Sequence, residues 1–208
     1  QRKEEHTMEI ILASQSPRRR ELLERMGIRE FRVVASAADE TADPALSPAE
    51  LVETLSRRKA LTVQAQERPD AIVHAADTVV TLDGAVLGKP ADEAAARQML
   101  SALSGRRHQV YTGLTVLRGQ EAYTEHEMTE VTFRALSQTE VEAYIATGEP
   151  MDKAGAYGIQ GYGALLVEGI SGDYYNVMGL PVCRLGRILA GMGVDCLNLA
   201  AARASNRS

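Results

Sequence analysis

The sequence predicts an α/β fold with a mixed sheet, and three observations carry that prediction. Helix-start signals alternate with short apolar runs along the chain. Asp83-Gly84, set between two apolar runs, is a hairpin signal, and a purely parallel sheet holds no hairpins. The 208 residues are 45% apolar and 25% charged, the proportions of a globular chain.

Met8 to Ala13 (MEIILA) reads as a buried strand. Ser14-Gln15-Ser16-Pro17 then opens a helix, with Ser16 as N-cap and Pro17 in the first helical position. Leu22, Leu23 and Met26 form its apolar stripe, and Gly27 stops it. Phe31–Ala35 reads as a second strand. Ser47-Pro48-Ala49-Glu50 is a capping box that starts a helix running to about Gln66. Ala71–Ala75 reads as a buried strand broken at Asp77, and Val79–Leu82 with Ala85–Leu87 forms the hairpin around Asp83-Gly84. Asp92 caps a helix that ends at Gly105. Stretches 108–118 and 122–133 read as two longer strands, and Ser137-Gln138-Thr139-Glu140 is a second capping box. Residues 155–163 hold four glycines, which form either a flexible connector or a loop that lets backbone approach a ligand. Ala164–Ile170 is strand-like, a final helix runs from Pro181 to about Ala190, and the tail from Ala200 reads as frayed. Without internal repeats or linkers, one domain over residues 8–193 is expected. Residues 1–7 read as a disordered extension or tag remnant, and 194–208 as a C-terminal tail.

Composition excludes several function classes. No apolar run approaches the ~18 residues of a membrane helix. A net charge of −5 argues against a nucleic-acid polymer as partner, and Trp 0, Phe 2 and Tyr 7 argue against a base-stacking platform. Two cysteines, Cys183 and Cys196, build neither a disulfide framework nor a four-ligand zinc site and fit a reducing cytoplasm.

The chemistry is local. Three arginines, Arg18 to Arg20, crowd a helix N-terminus that already carries partial positive charge. With Ser14, Ser16 and the free first-turn amides they suit a phosphate chain, though Arg20 is expected to point outward. Lys59 lies at the edge of the apolar face set by Leu51 and Leu55, where it either snorkels or meets an anion. Asp77-Thr78 ends a strand-like run, the place where α/β folds present ligands; a turn former before the hairpin is the alternative. With Asp39-Glu40 it could hold a hard cation. Gly84 to Lys89 fails as a P-loop because the spacing is short and proline follows the lysine, but Lys89 can still reach a phosphate. His108 has no ligand partner at i+4 and is expected to be structural. Gln160 offers a donor and an acceptor to a base edge. The runs 18–20, 57–59 and 106–107 carry eight cations, expected to gather where a small polyanion binds.

Taken in order, Ser14-Gln-Ser-Pro-Arg-Arg19, Asp39-Glu40, Lys59-Ala60, Ala76-Asp77-Thr78, Gly88-Lys89-Pro90, Ser104-Gly-Arg-Arg-His108, Asp152-Lys-Ala-Gly-Ala-Tyr-Gly-Ile-Gln-Gly161 and Asn176-Val-Met-Gly-Leu-Pro181 resemble the Maf family of nucleoside triphosphate pyrophosphatases. The similarity runs from about Met8 to Leu189. It implies an elongated two-lobed α/β molecule, similar to the inosine-triphosphatase fold, with a cleft between the lobes. It also implies hydrolysis between the α and β phosphates to a monophosphate and pyrophosphate, with Mg²⁺ or Mn²⁺ as cofactor. On that resemblance Asp77 is the proton acceptor, and Glu40 with Asp77 places the metal. Ser14, Ser16, Arg18, Arg19, Lys59 and Lys89 hold the triphosphate. Arg18, Thr78 and Gln160 fall on the positions associated with substrate choice. The form of the 152–161 segment resembles the branch acting on dTTP and UTP. Ala76 replaces a glycine common before the aspartate. Two alternatives remain beside it: a pyrophosphatase for modified purines or 7-methyl-GTP, and a nucleotide-binding regulator of septum formation. A homodimer is a possible state of the chain.

Overall fold

The computed structural model describes residues 8–205, so the reading of residues 1–7 falls outside the described residues. Among these residues seven strands form one mixed sheet: β1 (Ile10–Leu12), β2 (Arg32–Val33), β3 (Ile72–Leu82), β4 (Ala85–Leu87), β5 (Arg107–Arg118), β6 (Glu121–Phe133) and β7 (Val167–Ser171). Their order is β2-β1-β3-β5-β6-β7, with β4 paired to one end of β3. The pairs β1/β2 and β1/β3 are parallel and the others antiparallel.

Two crossovers build the parallel part. Helix α1 (Pro17–Arg25) carries the chain from β1 to β2, and α2 (Pro48–Gln64) carries it back across β1 to β3. They cover opposite faces, as the alternation along the strands requires. Ile10, Leu12, Ile72 and Ala76 pack with Leu22 and Leu23 of α1, whereas Ile11, Val73 and Ala75 pack with Ala60 and Val63 of α2. The first face is completed by α3 (Glu93–Leu103), α4 (Gln138–Ala146) and α6 (Val182–Gly191) through Leu100, Val141 and Leu185.

Local signals placed these elements well. Ser47 and Ser137 both form reciprocal capping boxes, and Asp92 Oδ1 accepts from the Ala95 N–H at 2.7 Å. Such caps are each worth about 0.5–2 kcal/mol. Asp83 and Gly84 turn the hairpin with φ of 52° and 79°.

The structure corrects four readings. Phe31–Ala35 shrinks to Arg32–Val33, and Ala164–Ile170 becomes a 3₁₀ turn followed by Val167–Ser171. The tail from Ala200 is helical instead of frayed: α7 spans Cys196–Ser205, and Arg203 donates to the Gly27 carbonyl at 2.6 Å. Fourth, β3 does not break at Asp77. Its partner β5 pairs with it without interruption from Val73 to Thr81, so the ladder carries the strand through the two polar residues.

The other edge of β3 is where the site arises. There β1 covers Ile72 to His74 and β4 covers Val80 to Leu82. The stretch between, 75–79, has no strand beside it on that edge, and Asp77 and Thr78 lie in the gap. No single helix among the described residues is long and apolar enough to cross a membrane.

Candidate active site

A cleft of about 690 Å³ occupies the gap. It opens at the carboxyl end of β1, where the chain order reverses around that strand, the point at which open α/β sheets bind ligands. Because successive strand residues point to opposite faces, Asp77 and Thr78 meet different helices.

Asp77 faces α2. Its buried carboxylate accepts from Lys59 Nζ at 2.6 Å, and the same ammonium meets Glu40 Oε1 at 2.9 Å. That hydrogen bond and the lysine's charge hold the Glu40 carboxyl below the usual range. The helix reaches this depth because Gly113, directly opposite Asp77 on β5, has no side chain: a Cβ there would lie 2.1 Å from the Val52 carbonyl oxygen.

Thr78 faces α1. Arg19 donates from Nε to the Gly179 carbonyl at 2.8 Å, from Nη1 to Ser14 Oγ at 3.2 Å and from Nη2 to Thr78 Oγ1 at 3.2 Å. Burial pushes the guanidinium down to about 10, with the Asp77 carboxylate pulling the other way, so it stays cationic at neutral pH. Counting donors fixes the direction of the remaining bonds. Thr112 has one hydroxyl proton and gives it to the Asn176 carbonyl at 3.1 Å. The 2.8 Å contact between Thr78 and Thr112 must then be donated by Thr78. The relay runs from Arg19 to Thr78 to Thr112 to Asn176, and Thr78 has no proton left for a ligand. Asn176 is itself anchored, its amide donating to the Val110 carbonyl and to Thr129 Oγ1. It sits in the short helix α5 (Tyr174–Met178), which ends at Gly179 with φ of 114°.

The glycine-rich segment is a built loop, which excludes the flexible connector. Glu149 Oε1 accepts from the Tyr144 hydroxyl at 2.7 Å and the Gly163 N–H at 3.0 Å, and Oε2 accepts from the Tyr162 N–H at 2.9 Å. Gly161 leaves the room these bonds need, since a Cβ there would fall 2.2 Å from Glu149 Oε2. Burial raises the Glu149 carboxyl, but the bonds it accepts outweigh that and hold it below its ordinary value. Gly155 and Ala156 both take positive φ, 69° and 61°, a conformation free to the glycine but strained for the buried alanine.

The sequence profile described as Maf-like protein matches residues 9–192. The chain belongs to the Maf-like family. A protein of Symbiobacterium thermophilum named dTTP/UTP pyrophosphatase is 56% identical over 185 residues, covering 89% of this chain and 94% of that protein. One of the same name from Moorella thermoacetica is 55% identical over 189 residues, covering 89% and 96%. A solved structure of the Staphylococcus aureus Ham1 protein aligns over 60% of this chain and 71% of its own at 16% identity, with a TM-score of 0.44.

In this Maf-like chain ten of the residues singled out from the sequence line one cleft: Ser14, Ser16, Arg18, Arg19, Glu40, Lys59, Asp77, Thr78, Lys89 and Gln160. Asp39, expected beside Glu40 at a cation, does not, its exposed carboxylate accepting from the Thr41 N–H and hydroxyl instead. Ser16 caps α1 as expected, and Arg20 points outward. His108 is buried and structural, its Nε2 2.7 Å from the Tyr157 hydroxyl. The expected gathering of eight cations is corrected. Arg57 is exposed, Arg58 donates to the Thr41 carbonyl, and Arg106 and Arg107 pair with Asp83 and Glu130 outside the cleft. Charge runs report sequence neighbours, which helix and strand geometry then disperse. The cleft is lined by five cations, Arg18, Arg19, Lys59, Lys89 and Lys153, against three carboxylates, Glu40, Asp77 and Asp152. Asp152 and Lys153 join the cleft as well, although the sequence marks them only as the start of the 152–161 segment. Gly113 and Thr112 carry no sequence signal because their contacts, with Val52 and Asn176, are distant along the chain, and Glu149 shows its part only when the loop folds back on it.

Proposed function

We propose that this chain hydrolyses dTTP and UTP between the α and β phosphates, releasing the monophosphate and pyrophosphate. The observation that carries the reading is the division of the cleft at β3: a buried carboxylate held by lysine on one face, and an arginine among neutral oxygens on the other. The names of the relatives at 55% and 56% identity support the substrate pair.

Arg19, preset by three bonds, and Arg18, Lys89 and the Ser14–Ser16 turn bind the polyphosphate. Arginine forks suit phosphate oxygens, and the α1 N-terminus adds its own amides. Asp77 accepts the proton of the attacking water, and Lys59 keeps that carboxylate in place. Thr78, having no free donor, acts by orienting Arg19. Positioning and charge neutralisation supply most of the acceleration.

The residues fit a divalent cation of the hard type. No cluster of three or more potential metal ligands occurs among the described residues. Glu40 Oε1 and Asp77 Oδ1 nonetheless converge on one positive charge, Lys59 Nζ, and Mg²⁺ commonly takes one or two carboxylates with the rest from phosphates and water. Glu40 and Asp77 would hold the ion, whose chemistry when bound is to neutralise phosphate charge and acidify water.

The test is a panel of dTTP, UTP, CTP, ATP, ITP and 7-methyl-GTP with Mg²⁺, followed by product identification. Monophosphate and pyrophosphate from dTTP and UTP are expected. Orthophosphate as the product, turnover confined to the purines, or no turnover would overturn the reading.

A further inference from the structure

Gln160 does not present its amide freely. Its Nε2 donates to both carboxylate oxygens of Glu21 on α1, at 3.1 Å and 2.9 Å. Glu21 in turn accepts from Arg25 Nη2 at 2.5 Å. The bond from Gln160, with help from Arg25, holds the Glu21 carboxyl below its ordinary value, so at neutral pH it is ionised and can only accept. An acceptor-only partner decides which end of the amide faces it. The nitrogen end therefore faces Glu21, and Oε1 is the end of the amide turned away from it, on a side chain that lines the cleft.

That matters for which base can pair with it. At the Watson–Crick edge uracil and thymine carry N3–H, a donor, where cytosine carries a bare ring nitrogen that can only accept. Oε1 completes a hydrogen bond with the first and opposes a lone pair on the second. A freely turning amide could swap ends and serve either.

We propose that Glu21 is a positioning residue for base choice: by fixing the amide of Gln160 it admits uracil and thymine and rejects cytosine. This rests on the reading of the cleft as a pyrimidine triphosphate site. Gln160 is exposed, Glu21 is half-buried and neither belongs to the core, so substitution at Glu21 leaves the core untouched.

The experiment measures kcat/KM for UTP and CTP, and separately the Kd of their non-hydrolysable α,β-imido analogues, on the parent and on three variants. The parent is expected to favour the uridine ligand by about fivefold to 150-fold, the range an unpaired polar contact produces. Glu21→Ala should cut that ratio at least about fivefold through KM and Kd, with kcat on UTP nearly unchanged. Glu21→Asp, still acceptor-only, should keep more of the ratio than Glu21→Gln, which preserves shape but can pair with either end of the amide. A purely structural role would rank those two variants in reverse. An unchanged ratio in Glu21→Ala, or equal binding of both analogues by the parent, overturns the proposal. Selective analogue binding without turnover of UTP would support base choice by Glu21 and overturn the hydrolytic reading instead.

Discussion

On the α2 side of β3 a lysine sits between two carboxylates; on the α1 side an arginine sits among neutral oxygens. Lys59 contacts Asp77 and Glu40, so that group carries a net negative charge. Arg19 contacts a carbonyl and two hydroxyls, and no carboxylate among the described residues forms an ion pair with it. Two adjacent residues of one strand thus organise opposite electrostatic half-sites. One cleft thereby presents an unpaired cation and, beside it, a carboxylate held in place, the combination the proposed hydrolysis requires. The arginine's charge is left for the ligand, and the lysine's charge is spent within the protein.

Asp77→Asn removes the acceptor on the α2 side and should lower kcat by about 10²- to 10⁴-fold while circular dichroism stays native. Full activity would remove Asp77 from its role. Gly113→Ala attacks the same side through packing, because the methyl meets the Val52 carbonyl and pushes α2, with Lys59, off the sheet. A loss of about 1–3 kcal/mol is expected from urea unfolding, with reduced turnover.

The α1 side should show in the pH dependence of stability. His74 shares the face of Thr78, is fully buried and has neither ring nitrogen hydrogen-bonded. Burial first, and then the charge of Arg19, push it down to about 4 from an ordinary 6.5. His108 is also pushed down to about 4, by burial. Between those values the unfolded chain binds protons that the folded one refuses. Stability is therefore full above pH 6.5 and falls as the pH drops toward 4, by up to about 1.4 kcal/mol per unit for each histidine. His74→Leu should flatten that acid slope by about half, read from urea midpoints across the window.

The smallest effect is expected from Thr112→Val. It deletes the relay behind Thr78 at nearly constant volume and should raise KM for UTP about fivefold with little change in kcat. Thr112→Ser, which keeps the hydroxyl, should restore the parent value. A change in kcat alone would mean that the relay serves the α2 half-site instead.

Elements with local grammar were legible without coordinates. Ser16, Ser47, Asp92 and Ser137 announce their helices because a cap is a contact between residues three apart. Ten residues that line the cleft were legible too, each in a short motif. The single strand through Asp77 was not. Two polar residues look like a break, and only the ladder with β5, more than thirty residues away in sequence, holds them extended. The scattering of Arg57, Arg58, Arg106 and Arg107 was equally hidden, since adjacency in sequence says nothing about which face a residue takes.

By itself the sequence determined the α/β class, the helix starts, the hairpin and the identity of the residues around the cleft, all of which depend on side-chain type and short spacing. Only the tertiary structure decided what those residues do to one another. It set Lys59 between two carboxylates, gave Thr78's proton to Thr112, and turned the amide of Gln160 toward Glu21. A hydrogen bond has a direction and a reach of about 3 Å, so its partner is chosen by where the folded backbone brings donors and acceptors together.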